Sequence, residues 1–253
     1  EQIFYNKIIF TIHTMEYYAY HTVHELFLYG DLTLQQWIDI FNRIRFVCDD
    51  FKRYTVQDAN IRQALEEMYL TKTLQRFEKM KKDERFIAFF ESPITVNGKR
   101  YLPLNEIIIA LEKAIPKMLY DVDTFNIIHG DLCFANIMVD SNFSFIKMID
   151  PRGKFGIYDI YGDFRYELAK LFHSVDGKYD FIIKDLFDLD YNIETSCINF
   201  RIQDRKREFD LYKVFLNTFA AEIGNDLRKI ELIEALLFLS MIPLHGESMR
   251  HQM

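Results

Sequence analysis

Apolar positions recur at helical spacing over much of this chain, broken by short β-branched and aromatic runs. Thr22-Val23-His24-Glu25 is a capping box opening a short helix that Gly30 closes. Thr33-Leu34-Gln35-Gln36 repeats the signal, and a helix to about residue 52 places Trp37, Ile40, Phe41 and Ile44 on one face. A longer helix is predicted over roughly 57–82, with Ile61, Leu65, Met68, Tyr69, Phe77 and Met80 as its apolar stripe. Its Lys and Glu residues form a solvated face. Asn97-Gly98 marks a tight hairpin between Ile94–Val96 and Lys99–Tyr101. Pro103 precedes a helix reaching about Leu119, which Pro116 kinks or ends. Asp163 caps a helix carrying Phe164, Leu168, Leu171 and Phe172, with His173 as a packing residue. Leu186–Tyr191 and Thr195–Arg201 read as paired strands, followed by helices over about 203–223 and 227–241. Residues 7–18 read as a strand.

The stretch 126–153 has a different character. His129-Gly130-Asp131 precedes Asn136 by five positions from the aspartate, and two short apolar strands follow, Ile137–Val139 and Phe145–Ile149. Asp140-Ser141-Asn142 is turn chemistry between them, and Asp150 stands at the end of the second. Phosphoryl transfer asks mainly for positioning and charge neutralisation. Asp131 has the place to orient an attacking hydroxyl and receive its proton. Asn136 and Asp150 offer the hard oxygens that Mg2+ prefers. A turn aspartate alone would not account for Asn136 and Asp150 in company with Asp131. His129 supports the loop or takes part in catalysis. Met138 and Ile149 either floor an adenine site or pack the core. Arg152 either meets a phosphate or anionic substrate bidentately or braces the loop through a carboxylate.

His129-Gly130-Asp131…Asn136 followed by Ile149-Asp150 resembles the aminoglycoside phosphotransferase and choline kinase group, which has a protein-kinase-like fold. The continuation Asp150-Pro151-Arg152-Gly153…Tyr161-Gly162-Asp163…Glu167-Leu168-Ala169-Lys170-Leu171 is similar to phosphotransferases of bacterial polysaccharide and extracellular-matrix synthesis. The close likeness covers residues 126–180, and a looser one residues 8–80. It implies an α+β, predominantly helical large lobe over 21–253, with its catalytic core at 126–175. Residues 1–20 would be the end of the small lobe and the hinge, where Glu16–Tyr18 meet the adenine edge. It also implies that Asp163 braces the catalytic loop, and it places Glu167 where relatives often have aspartate; either residue is otherwise purely structural, the reading preferred for Glu167. No Gly-rich phosphate loop precedes residue 126 and the chain starts at Glu1, so the rest of the small lobe is expected upstream.

Composition changes this picture little. At 253 residues, 49% hydrophobic and 27% charged, the chain can bury a large core. The net charge of −7 is mixed along the chain, which disfavours nucleic acid as a partner. Three scattered cysteines, Cys48, Cys133 and Cys197, fit a reduced cytoplasmic setting, and Cys133 is a loop thiol of reactive or merely packing character. Glu234 interrupts the apolar run Leu232–Met241, and no run reaches spanning length. The expectation is an ATP- and Mg2+-dependent kinase acting on a hydroxyl of a sugar, amino alcohol or polysaccharide precursor. A cation-π site for a choline-like acceptor is compatible with the many Tyr and Phe residues. The rival reading is a pseudokinase-type nucleotide-binding or scaffold module without turnover. An acyl or nucleotidyl transferase lacks its nucleophile elbow or Walker lysine here. The tail Pro243–Glu247 is a candidate to approach the substrate opening.

Overall fold

Helices that cap as predicted build most of the molecule, and four small sheets position the loop between them. A computed structural model describes residues 2–5, 8–11, 16–245 and 248–253, with backbone alone for the first two segments and for Met249. The strands are β1 (Gln2–Tyr5), β2 (Ile8–Thr11), β3 (His21–Thr22), β4 (Thr55–Val56), β5 (Ile94–Val96) and β6 (Lys99–Tyr101). They continue with β7 (Phe125–Ile127), β8 (Ile137–Val139), β9 (Ile146–Met148), β10 (Tyr161–Gly162), β11 (Phe187–Asn192) and β12 (Cys197–Ile202). The sheet orders are β1-β2, β10-β7-β4, β11-β12-β5-β6 and β3-β8-β9.

Both capping boxes form: Thr22 and Thr33 accept from the backbone of Glu25 and Gln36, whose side chains return the bond. The helices behind them span Val23–Tyr29 and Leu34–Lys52. Asn97 and Gly98 both take left-handed φ, as the tight turn requires. The helix after Pro103 spans Leu104–Leu119 and contains Pro116 three residues before its end.

Several boundaries differ from the pattern-based expectation. Of the strand expected over 7–18, Ile8–Thr11 is strand β2, paired with β1 before it, and 16–18 are not strand; Lys7, Ile12, His13, Thr14 and Met15 lie outside the described residues. The long helix begins at Ile61: residues 57–60 form a turn in which Asp58 accepts from the Asn60 amide and the Tyr158 hydroxyl, after Thr55 and Val56 pair with Asn126 and Phe125. It contains a π segment, Glu66–Thr71, before resuming as Lys72–Lys81. The helix expected from 203 begins at Leu211 and is broken at Phe219 before Ala220–Ile223. Residues 203–210 stay irregular: Asp204 pairs with Lys178 and Arg207, and Arg207 also donates to the Phe27 carbonyl.

The main core joins the first helices to the loop. Trp37, Phe27, Phe41, Phe134, Phe215 and Phe219 are all essentially inaccessible. Phe134, from the loop between β7 and β8, meets Phe27 edge-on at 5.3 Å and stacks on Trp37 at 6.0 Å between ring centres. A second cluster gathers Phe77, Met80, Phe86, Phe89 and Phe90. Among the described residues no helix is long and apolar enough to cross a membrane.

Candidate active site

The loop after β7 must turn sharply and present polar side chains without leaving its own backbone groups unpaired, since buried orphans are costly. Gly130 makes the turn at φ +77°, and a Cβ there would lie 2.9 Å from the Arg152 Cβ. Its amide and that of His129 donate to the two oxygens of Glu167, at 2.6 and 2.8 Å. Glu167 is wholly buried in the Phe164–Val175 helix. Burial pushes its carboxyl up to about 7, against the two amides that favour the carboxylate.

Three backbone-level bonds lace the end of β9 to this loop. The Ile149 amide donates to the Asn136 carbonyl at 3.0 Å, and the Arg152 amide to the His129 carbonyl at 2.8 Å. The His129 Nε2 lies 2.9 Å from the Ile149 carbonyl, and its Nδ1 lies 3.3 Å from the Asp131 amide. Both ring nitrogens therefore face backbone. Burial lowers the imidazole pKa, which suits a neutral ring donating from Nε2 and accepting at Nδ1. His129 thus has both ring nitrogens engaged within the loop and its lacing.

Asp131 keeps 36% of its side-chain exposure and ion-pairs with Lys170 at 2.7 Å. Burial opposes the Lys170 charge, but Tyr166 and Asp131 more than offset it, and the ammonium stays above the ordinary lysine value. The Asn136 amide nitrogen donates to the Asp131 carbonyl at 2.8 Å and to its carboxylate at 3.3 Å. Its amide oxygen is then the atom left to bind something else. Asp150 is exposed, takes a left-handed φ of 56°, and has no hydrogen-bond or ion-pair partner among the described residues. The charges of both aspartates reach the His129 ring. Asn136 thus meets Asp131 directly, and Asp150 lies on the turn laced to the same loop. No group of three or more His, Cys, Asp and Glu that could hold a metal gathers among the described residues.

The residues expected to meet a nucleotide lie on or beside the neighbouring sheet. Ile137 and Val139 point into the core, so Met138 lies on the opposite face of β8, with its partner Lys147. Ile149 continues the Lys147 face. Lys147 donates to the Tyr18 hydroxyl at 3.1 Å and sits over its ring, and Tyr18 also bonds the Glu16 carboxylate. Glu16, Tyr18, Met138 and Ile149 therefore border one half-exposed face.

Asp163 does not brace the loop. Its carboxylate accepts from Arg165 and from the Tyr69 hydroxyl at 2.9 Å, tying the Phe164–Val175 helix to the 61–81 helix. The brace is Glu167, and Lys170 one turn on holds Asp131. Their three-residue spacing on one helix face was visible in the sequence; the loop they face was not. Arg152 meets no carboxylate among the described residues, and its Nη1 donates to the Tyr166 hydroxyl at 2.7 Å. Burial raises the Cys133 thiol to about 11, so it is a packing residue. His245 lies 3.3 Å from the Tyr179 hydroxyl, while Gly246 and Glu247 fall outside the described residues. No protein-family model matches the chain, and no curated protein matches it.

Proposed function

We propose that the protein is an ATP- and Mg2+-dependent phosphotransferase that acts on a hydroxyl of a small molecule. The observation that supports this reading is the lacing of Ile149 and Arg152 to His129 and Asn136, which ties the turn bearing Asp150 to the loop bearing Asp131 and Asn136. Mg2+ would fit the Asp150 carboxylate and the Asn136 amide oxygen, hard donors not committed to the protein. Bound there, it would neutralise charge on the triphosphate. The acceptor hydroxyl, oriented by Asp131, would attack the γ-phosphorus as the bond to the β-phosphate oxygen breaks. Its proton passes to Asp131, and ADP leaves. Lys170 holds the Asp131 carboxylate in place, and Glu167 keeps the loop in shape. Met138, Ile149, Tyr18 and Glu16 would receive the adenine.

The test is a mass-shift screen of alcohols with ATP and Mg2+, run beside Asp131→Asn. The amide still offers Lys170 an acceptor, so the variant stays folded. Transfer is expected to fall by about 10²–10⁴-fold, the usual worth of a general base. Transfer at the parental rate would remove Asp131 from the chemistry.

A further inference from the structure

The π segment and the turn after Arg152 enclose a second polar feature, which the proposed reaction does not use. A cavity of about 240 Å3 lies between the long helix and residues 152–156. Lys72, Arg152 and Lys154 line it, with Thr71 and Gln75; Glu67 is its one carboxylate. Gly156, at φ +59°, brings the turn onto the helix, where a Cβ would lie 2.7 Å from that of Ala64. The π segment Glu66–Thr71 shapes the opposite wall, and such segments recur at functional sites.

The cations here are not neutralised by the protein. Lys72 is half-buried and has no hydrogen-bond or ion-pair partner among the described residues. Its amine is lowered to about 8, by burial first and then by Arg152, Lys170 and Arg76. Arg152 is held by the Tyr166 hydroxyl through Nη1 alone, and its backbone amide is tied to the His129 carbonyl. The cavity therefore adjoins the loop that carries Asp131, whose charge also reaches Lys72.

We propose that this cavity holds a phosphoryl group already present on the acceptor, so that the hydroxyl acted upon belongs to a phosphorylated small molecule. This rests on the phosphotransferase reading. Three cations against one carboxylate leave two positive charges. A phosphate monoester carries about −1.5 to −2 near neutral pH, whereas a carboxylate brings only one. The volume falls below the roughly 300–1,000 Å3 of pockets that enclose a whole ligand, so a headgroup enters while the rest extends toward Asp131. A choline-like or aminoglycoside acceptor would meet repulsion here.

Matched alcohols test the assignment: glucose against glucose 1-phosphate, and glycerol against glycerol 3-phosphate and glycerate. Binding is measured by calorimetry and transfer by mass shift, for the parent, Lys72→Met and Lys154→Ala. The methionine keeps the packed stem of Lys72, and Lys154 is exposed, so both variants fold. The phosphorylated member is expected to bind at least about tenfold tighter, each variant to erase most of that preference, and ATP affinity to stay within about twofold. Equal binding of neutral and phosphorylated alcohols overturns the proposal. So does glycerate binding as tightly as glycerol 3-phosphate, or ATP affinity falling as far as that of the phosphorylated alcohol. Tight binding without any transfer would end the phosphotransferase reading and leave the anion site standing.

Discussion

Asp131 and Asp150, whose charges both reach the His129 ring, are held in opposite ways. The loop carrying Asp131 is anchored at every level: Phe134 in the aromatic core, Glu167 on two amides, and Lys170 on the carboxylate. Asp150 sits exposed on a left-handed residue, with only its neighbours laced by backbone bonds. A group that orients a hydroxyl must be in place before the substrate arrives, because misplacement costs rate directly. A metal ligand gains from staying unpaired, since a protein partner would compete with the ion. The difference therefore fits the roles proposed for each.

The comparison breaks most sharply at Phe134. Phe134→Ala should cost about 3–5 kcal/mol, typical of a buried aromatic lost from a core, and should loosen the loop. Urea unfolding measures it; a loss of under about 1 kcal/mol would mean that the loop is held without its anchor.

Next comes Glu167. Its carboxyl rises to about 7 in the fold from an ordinary 4.5. The raised value means that its contribution to stability is full below about 4.5 and is lost as pH climbs through about 7. The change is on the order of 3 kcal/mol, at about 1.4 kcal/mol per unit. Glu167→Gln should flatten this part of the stability–pH curve. Glu234, raised to about 8 chiefly by burial, contributes equally in both proteins and cancels in the difference. Parallel curves for parent and variant would show that Glu167 does not titrate there.

The smallest effect is expected at Asp150. Asp150→Asn should leave stability within about 0.5 kcal/mol, because the site is exposed and asparagine accepts left-handed φ. The same variant should abolish Mg2+-dependent transfer. A large stability loss would show that the turn, too, is a held element.

Local features were readable where the signal and the structure sit within a few residues of each other. Thr22 and Thr33 with their partners, Asn97-Gly98, and Asp140 accepting from Ser144 and Phe145 are cases of this kind. The long helix lost its first turn to a loop in which Asp58 meets Tyr158, 100 residues away, which no helical period records. Asp163 and Glu167 show the same limit. Both lie on one helix, and only packing decides that Asp163 turns to Tyr69 and Arg165 while Glu167 turns to the loop.

By itself the sequence singled out Asp131, Asn136 and Asp150 as candidates for the proposed reaction, and determined the turns and caps around them, because both are short-range properties of the chain. Tertiary structure alone decided that Glu167 and Lys170 hold the loop, that Phe134 anchors it, and that Lys72, Arg152 and Lys154 meet around one cavity. Charges and amides from distant segments find each other only once the core has closed. The free energy of those meetings depends on distance and burial, neither of which is written in residue order.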